Sequence, residues 1–372
     1  MIRILHSVSN MGRGGIETML MNYYRHIDRT KVQFDFLCNK SEKGVFDDEI
    51  LAMGGRLFVT PGFNPLKRHA YTRFMLDLFK RYPEYTIIEA HNDGLGAFAL
   101  KDAMKANVPI RIYHAHSTSL PKNLKYPIKL YCKWHINDWS THHFTCGIKA
   151  GQYFFGKHVM ETNDFSIINN AIDLSRFNFN PKTRSQLRHD YNLDDRHVVG
   201  HVGRFATVKN HTRLLDIFAE LKKIDSKATL ALVGNGELMD SIRAKVAKLK
   251  LQNDVIFVGE TPNPHLWYQA FDIFTMPSLY EGLPVVGIEA QTADLPCIFS
   301  SNVPNEIAKT NHCYFIGLNK SNEEWASVIA SILNNSPQRK DCTDLIASAG
   351  YDIHTEARKL QNLYEQFAAA TN

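Results

Sequence analysis

The chain has 372 residues, past the length at which one hydrophobic core usually stops growing, so two domains of ordinary size are expected. With 44% hydrophobic and 22% charged residues it is a folded chain, and a disordered or fibrous one is excluded. The net charge of +5 is uneven: residues 1–167 hold 22 Lys and Arg against 15 Asp and Glu, the remainder 21 against 23, which suggests different partners for the two halves.

In chain order, strands are expected at 2–8, 32–37, 56–60, 86–90 and 110–114, alternating with helices at 15–27, 46–53, 67–81 and 95–106. An aromatic and basic segment at 120–139 precedes the last strands of this half, at 142–146 and 167–168. The polar stretch 177–195, with Pro181 and a run of charges, reads as a connection, and the domain crossing is placed around 169–181. A second series follows, with strands at 197–202, 229–233, 255–258 and 273–276, and helices at 211–223, 238–249, 264–269 and 283–292. Strands near Cys297 and Tyr314 and helices at 323–334 and 337–349 complete it. Strand–helix alternation of this kind implies mostly parallel sheets covered on both faces, so the fold class is α/β with two doubly wound, Rossmann-like domains facing a cleft. The domains are expected at 1–168 and 169–352, with a final helix within 353–372 able to pack back on the first.

No apolar stretch approaches the ~20 residues needed to cross a bilayer. The start, Met1-Ile2-Arg3-Ile4-Leu5-His6, breaks its apolar run with charge and is unlike a signal peptide, so a cytoplasmic location is expected. The six cysteines are scattered without a C-x-x-C, which points to free thiols in a reducing compartment.

Three segments could carry chemistry, each at a strand-to-helix turn. The first, Gly12-Arg13-Gly14-Gly15-Ile16-Glu17, lets the backbone approach a ligand at a helix N-terminus, although it is not G-x-G-x-x-G. In the second, Gly203-Arg204-Phe205-Ala206-Thr207-Val208-Lys209, a guanidinium and an ammonium sit on a loop, expected to be exposed, at the carboxyl edge of a sheet, where they suit a diphosphate. The third runs from Met276 through Glu281-Gly282-Leu283-Pro284-Val285 to Glu289. Pro284 suits a first helical turn, and the amides from Gly282 to Val285 could receive a phosphate. Glu289 lies about 12 Å beyond Glu281 if both are helical, and Glu281 could equally sit just outside the helix. Two such carboxylates could grip hydroxyls at both ends of a sugar nucleotide. Glu281 could instead serve the helix dipole, which explains Glu289 poorly. There is no D-x-D: Asp47-Asp48 and Asp194-Asp195 lack the spacing, and no metal is expected.

Taken in order, Gly14-Gly15-Ile16-Glu17, Asn170-Ala171-Ile172-Asp173 with Phe177, Gly203-Arg204 with Lys209-Asn210, Val233-Gly234-Asn235-Gly236, and Glu281 with Glu289 resemble the retaining glycosyltransferases of family four, over nearly the whole length. His114-Ala115-His116-Ser117 and Thr141-His142-His143-Phe144 are similar to the enzymes of bacterial exopolysaccharide, capsule or O-antigen assembly. The resemblance implies the GT-B fold, a nucleotide-sugar donor (UDP favoured, GDP the alternative), no cofactor and no metal. It also implies a glycan or lipid-diphosphate-linked acceptor. It assigns Arg204 and Lys209 to the donor diphosphate, Glu281 to the donor sugar, Glu289 to the ribose, Gly14 and Gly15 to a loop closing over the phosphates, and the backbone near Thr261 to the nucleobase. A strand-end histidine is expected in the catalytic centre, His116 in preference to His114, with the two expected to alternate in facing. The segment 121–139, mixing Lys with Tyr, Trp and Leu, could rest on an anionic inner-membrane surface. Nucleic acid is not expected as a partner. A nucleotide-sugar epimerase of similar fold and a non-catalytic sugar-nucleotide-binding protein are the competing readings.

Overall fold

Runs such as Val32–Cys38 and Cys297–Ser300 are buried along their whole length, the mark of parallel strands with helices on both faces. The computed structural model describes residues 1–62, 64, 68–92, 94–120, 123–335 and 338–370. Among them the chain forms two compact units, Met1–Ile172 with Ile353–Asn372, and Asp173–Asp352.

The first unit is built on seven parallel strands: β1 (Ile2–Val8), β2 (Val32–Cys38), β3 (Leu57–Val59), β4 (Ile87–Ala90), β5 (Ile110–Ala115), β6 (His142–Thr145) and β7 (Phe165–Ile167). Their order is β3-β2-β1-β4-β5-β6-β7. One face packs Ile4, Phe34 and Phe36 against Tyr24 and the final helix, Ile353–Ala370; the other packs Leu5, Ile88 and Tyr113 against Met75 and Leu100. Each large side chain so buried contributes about 1.5–3 kcal/mol. The second unit has β8 (His197–Val202), β9 (Ala228–Val233), β10 (Val255–Gly259), β11 (Ile273–Met276), β12 (Cys297–Ser300) and β13 (Cys313–Ile316), in the order β10-β9-β8-β11-β12-β13. Each sheet reverses its winding once, at β1/β4 and at β8/β11. At such a point neighbouring connections leave in opposite directions and open a crevice at the carboxyl ends of the strands.

The division falls at 172/173, four residues beyond the expected 168/169. Residues 169–172 belong to the first unit because Tyr23 donates its hydroxyl to Asn169 O (2.7 Å), Asn22 Nδ2 donates to Ala171 O (3.2 Å), and Ala171 and Ile172 are buried. The return crossing lies alongside, with Ile353 N donating to Ile172 O. The polar stretch read as a connection contains a helix, Pro181–Asp190, capped by the Asn180 side chain, with Pro181 in its first turn. It is held by charge more than by an apolar stripe, which is why hydrophobic periodicity did not reveal it. Arg184 and Arg188 both donate to Asp272, whose carboxylate also accepts Val198 N at 2.7 Å. Helix Ile148–Phe155 was likewise not anticipated. The helix expected at 337–349 is Thr343–Ser348, and Lys67 and Pro337, the expected starts of two helices, lie outside the described residues.

Replacing Asp272 by Ala strands two guanidiniums, one of them buried, and is expected to destabilise the second unit by about 3 kcal/mol. Urea unfolding checks this; a midpoint unchanged from the parent would show that the polar anchor carries no weight.

Candidate active site

In the second unit the chain leaves β8 through Gly203 to Ala206 and turns through a short 3₁₀ segment, Thr207–Lys209, into helix His211–Ile224. Asn210 closes the turn in the left-handed conformation (φ 57°), which Asn tolerates, and its Nδ2 donates to Pro277 O at 3.1 Å. Leu279 N donates to Val208 O at 2.8 Å. The loops after β8 and β11 are therefore tied together at the point where the sheet reverses. A Cβ on Gly234 (φ 132°) would stand 2.2 Å from Gly203 O, so the loops after β8 and β9 also touch, main chain to main chain.

This lacing carries Lys209 onto Glu281: Nζ and Oε1 are 2.7 Å apart, and the side chains are only 16% and 12% exposed. The expectation that Lys209 sits on an exposed loop is thereby corrected, because the β11 loop covers it. Arg204 is 73% exposed and reaches Glu237 at 3.0 Å. Glu281 lies four residues ahead of helix Val285–Thr292, outside it. Pro284 is the N-cap, one step before the expected first turn, and no side chain caps the helix. Leu283 and Pro284 are buried, with Gly282 and Val285 half-buried beside them. Glu289, inside the helix, is buried and accepts the Tyr268 hydroxyl at 2.6 Å. Burial pushes its carboxyl up to about 7, against the opposing pull of that hydrogen bond and of Arg176. Thr261, two residues past the edge strand β10, accepts Asn263 N on its hydroxyl.

In the first unit Gly14 caps helix Gly15–His26 with extended backbone and no side-chain bond. A Cβ on Gly14 would lie 2.1 Å from Glu17 Oε2, whereas Gly15 faces open space. The positive end of this helix is thus met by a carboxylate of its own first turn, and burial raises the pKa of Glu17.

His114 is 2% exposed and bonds Glu89 Oε1 through Nδ1 at 2.8 Å; His116, just past β5, is half-buried. Their rings stack with centroids 4.0 Å apart. The expected alternate facing is therefore wrong: residues two apart on an extended chain share a side. His6 and His91 complete the cluster, with His91 bonded to both His6 and His116 at 3.0 Å.

Residues 183–346 match the family model for glycosyl transferases group 1. EpsF of Bacillus subtilis is 35% identical over 97% of this chain and 96% of its own length. The chain belongs to the group 1 glycosyltransferases. Another relative is the UDP-Gal:alpha-D-GlcNAc-diphosphoundecaprenol alpha-1,3-galactosyltransferase of Escherichia coli, 21% identical over 98% of this chain and 96% of its own length. Among solved structures, Anabaena HepE in complex with UDP and glucose superposes with a TM-score of 0.81 at 18% identity, covering 98% of this chain and all of that one. The fold of this glycosyltransferase is GT-B, two Rossmann-like domains.

Sequence reading missed the partners of the site residues: Glu237 for Arg204, Tyr268 for Glu289, and His6, Glu89 and His91 around His114 and His116. A signal for the last group was present, since β1, β4 and β5 each carry histidine at or just past the carboxyl end and a doubly wound sheet sets these strands side by side.

Glu289 holds its proton to about 7 in the folded glycosyltransferase but lets it go near the ordinary 4.5 when unfolded. Folding therefore takes up a proton between those values, and stability is lost as pH rises through that window. Glu289→Gln removes this dependence. The unfolding free energy of the parent should fall relative to the variant by on the order of 3 kcal/mol between pH ~4.5 and pH ~7. Parallel pH profiles in urea unfolding would contradict the shift.

Proposed function

We propose that this glycosyltransferase is a retaining, metal-independent hexosyltransferase that takes a sugar from UDP and places it on a glycan or lipid-diphosphate-linked acceptor during surface polysaccharide assembly. The observation that carries the reading is the Lys209–Glu281 pair, held where the second sheet reverses and beside the uncapped start of helix Val285–Thr292. Breaking a sugar–phosphate bond leaves positive character at the anomeric carbon and negative charge on the departing diphosphate. In this reading Lys209, Arg204 and the amides from Gly282 through Leu283 and Pro284 to Val285 (Pro284 itself offers none) receive that negative charge without a metal. Glu281 then stands beside the donor sugar and Glu289 takes the ribose hydroxyls. The backbone near Thr261 meets the base, and Gly14 and Gly15 close over the phosphates once Glu17 yields the helix end. His116 contributes a polar group to the catalytic centre. UDP is favoured because the E. coli relative is named for a UDP donor and HepE was solved with UDP. The lipid-diphosphate acceptor follows the same relative's name.

We also propose peripheral contact with an anionic membrane face through 121–139, on revised grounds. Pro121 and Lys122 lie outside the described residues. Lys129 is buried, and Lys133 lies over the Tyr153 ring at 3.9 Å, so these lysines do not form a basic outer stripe. Helix Tyr126–Trp139 and the turn before it instead expose Leu124, Tyr131 and Trp134, the last 70% exposed. A bulky indole and a leucine beside Lys125 suit the interfacial layer. No helix among the described residues is long and apolar enough to cross a membrane. Location on the cytoplasmic side remains part of this proposal.

Lys209→Ala should lower kcat by on the order of 10²-fold with UDP-sugar donor, and Arg204→Ala by less, since Arg204 is the more exposed; EDTA should leave the parent rate unchanged. Near-normal turnover of Lys209→Ala, or loss with EDTA that only a divalent ion restores, would overturn the mechanism. Lys209→Ala also strands a partly buried Glu281, so its folding is checked by circular dichroism. In co-sedimentation, anionic vesicles should retain the parent more than neutral ones do and lose Trp134→Ala; binding indifferent to lipid charge and to the substitution would remove the membrane contact.

A further inference from the structure

The histidine cluster of the first unit has a directional hydrogen-bond order. His6 stands on β1 and Glu89 on β4, opposite each other in register, with His91 just beyond β4. His6 Nδ1 lies 3.0 Å from His91 Nε2, and His91 Nδ1 lies 3.0 Å from His116 Nε2. Beside this line His114 Nδ1 meets Glu89 Oε1, and the Tyr364 hydroxyl, from the final helix, donates to Glu89 Oε2. Burial holds His6 near 4 and His114 near 3, and holds His91 and His116 well below the usual imidazole range, so at pH 7 each ring is neutral and carries a single N–H.

Which nitrogen carries it follows from the atoms left over. His6 Nε2 and His114 Nε2 are buried and have no partner among the described residues. A bare lone pair there is tolerable, whereas a stranded N–H costs the full desolvation of a donor. With the proton on Nδ1 of every ring, His6 donates to His91, His91 donates to His116, and His114 donates to Glu89. The reverse order would give His91 Nε2–H a second, longer acceptor in Glu89 Oε1 at 3.4 Å, yet would leave the buried His6 Nε2–H pointing at nothing. The line therefore ends with His116 accepting on Nε2, so that its own proton resides on Nδ1, which bonds no described residue.

We propose that His6 and His91, with Glu89 and Tyr364 bracing the stacked His114, form a relay that fixes His116 as a neutral Nδ1–H donor for a ligand oxygen. His6 and His91 are positioning residues: they act by setting the tautomer of His116, against the Nε2–H form that free histidine prefers. That the ligand is the transferred sugar rests on the reading of His116 given above. The donor atoms of His91, His114 and His116 also lie within 4.8 Å of one another, a spacing a metal ion could use. A metal would take either the His91 Nδ1 lone pair, which the relay protonates, or the Nε2 lone pair, which accepts from His6, so the two arrangements exclude each other.

Long-range ¹H–¹⁵N correlation spectra of the full chain labelled with ¹⁵N-histidine decide the matter. At pH 7 the His116 resonance, identified by its loss in His116→Gln, should show a protonated Nδ1 and a pyridine-type Nε2. In His91→Leu it should relax toward Nε2–H. If that variant does not fold, the spectrum of the unmodified protein still decides. His116 found as Nε2–H or as imidazolium, or one equivalent of Zn²⁺ taken up with loss of the His91 proton, would overturn the relay. Adding UDP-glucose should shift the His116 Nδ1 signal; no shift would refute the sugar contact and leave the relay standing.

Discussion

Lys209 and Glu281 are 72 residues apart in sequence, and the contact between them depends on one topological fact, the adjacency of β8 and β11. At that seam two connections leave the sheet in opposite directions, and their first residues are held together by Leu279 N on Val208 O and Asn210 Nδ2 on Pro277 O. The ammonium is placed by main-chain geometry, and the neighbouring loop after β9 closes on Gly203 O only because Gly234 carries no side chain. In the proposed reaction a cation fixed this way pays little reorganisation on meeting a diphosphate, which is how preorganised charge lowers a barrier.

The two glutamates near this seam have different surroundings. Glu281 is paired with the Lys209 ammonium and nearly covered. Burial of Glu289 favours the acid, against the opposing pull of the Tyr268 hydroxyl. One strand–loop–helix unit thus holds an ion-paired carboxyl and a buried one whose hold on its proton is strengthened. The first unit solves a comparable problem without charge, by passing one hydrogen-bond direction through neutral imidazoles.

Both units and nearly all of their strands were legible in the sequence, because parallel strands buried on two faces leave short β-branched and aromatic runs that glycine and proline punctuate. Helix Pro181–Asp190 was not, since Arg184 and Arg188 hold it by charge and it shows no apolar stripe. The candidate site residues were legible as types at strand ends. Their pairings were not: a sequence shows Lys209 grouped with Arg204 on one loop and Glu281 on another, and only the sheet order shows that Lys209 and Glu281 touch. His114 and His116 were misjudged for a simpler reason, since a period of two puts them on one side of the strand.

The most direct test is a crystal structure of the full chain grown with UDP. The diphosphate oxygens should lie within hydrogen-bond distance of Lys209 Nζ and the first amides of helix Val285–Thr292, with the ribose at Glu289. A nucleotide bound elsewhere, with the Lys209–Glu281 contact unaltered and those amides facing water, would contradict it.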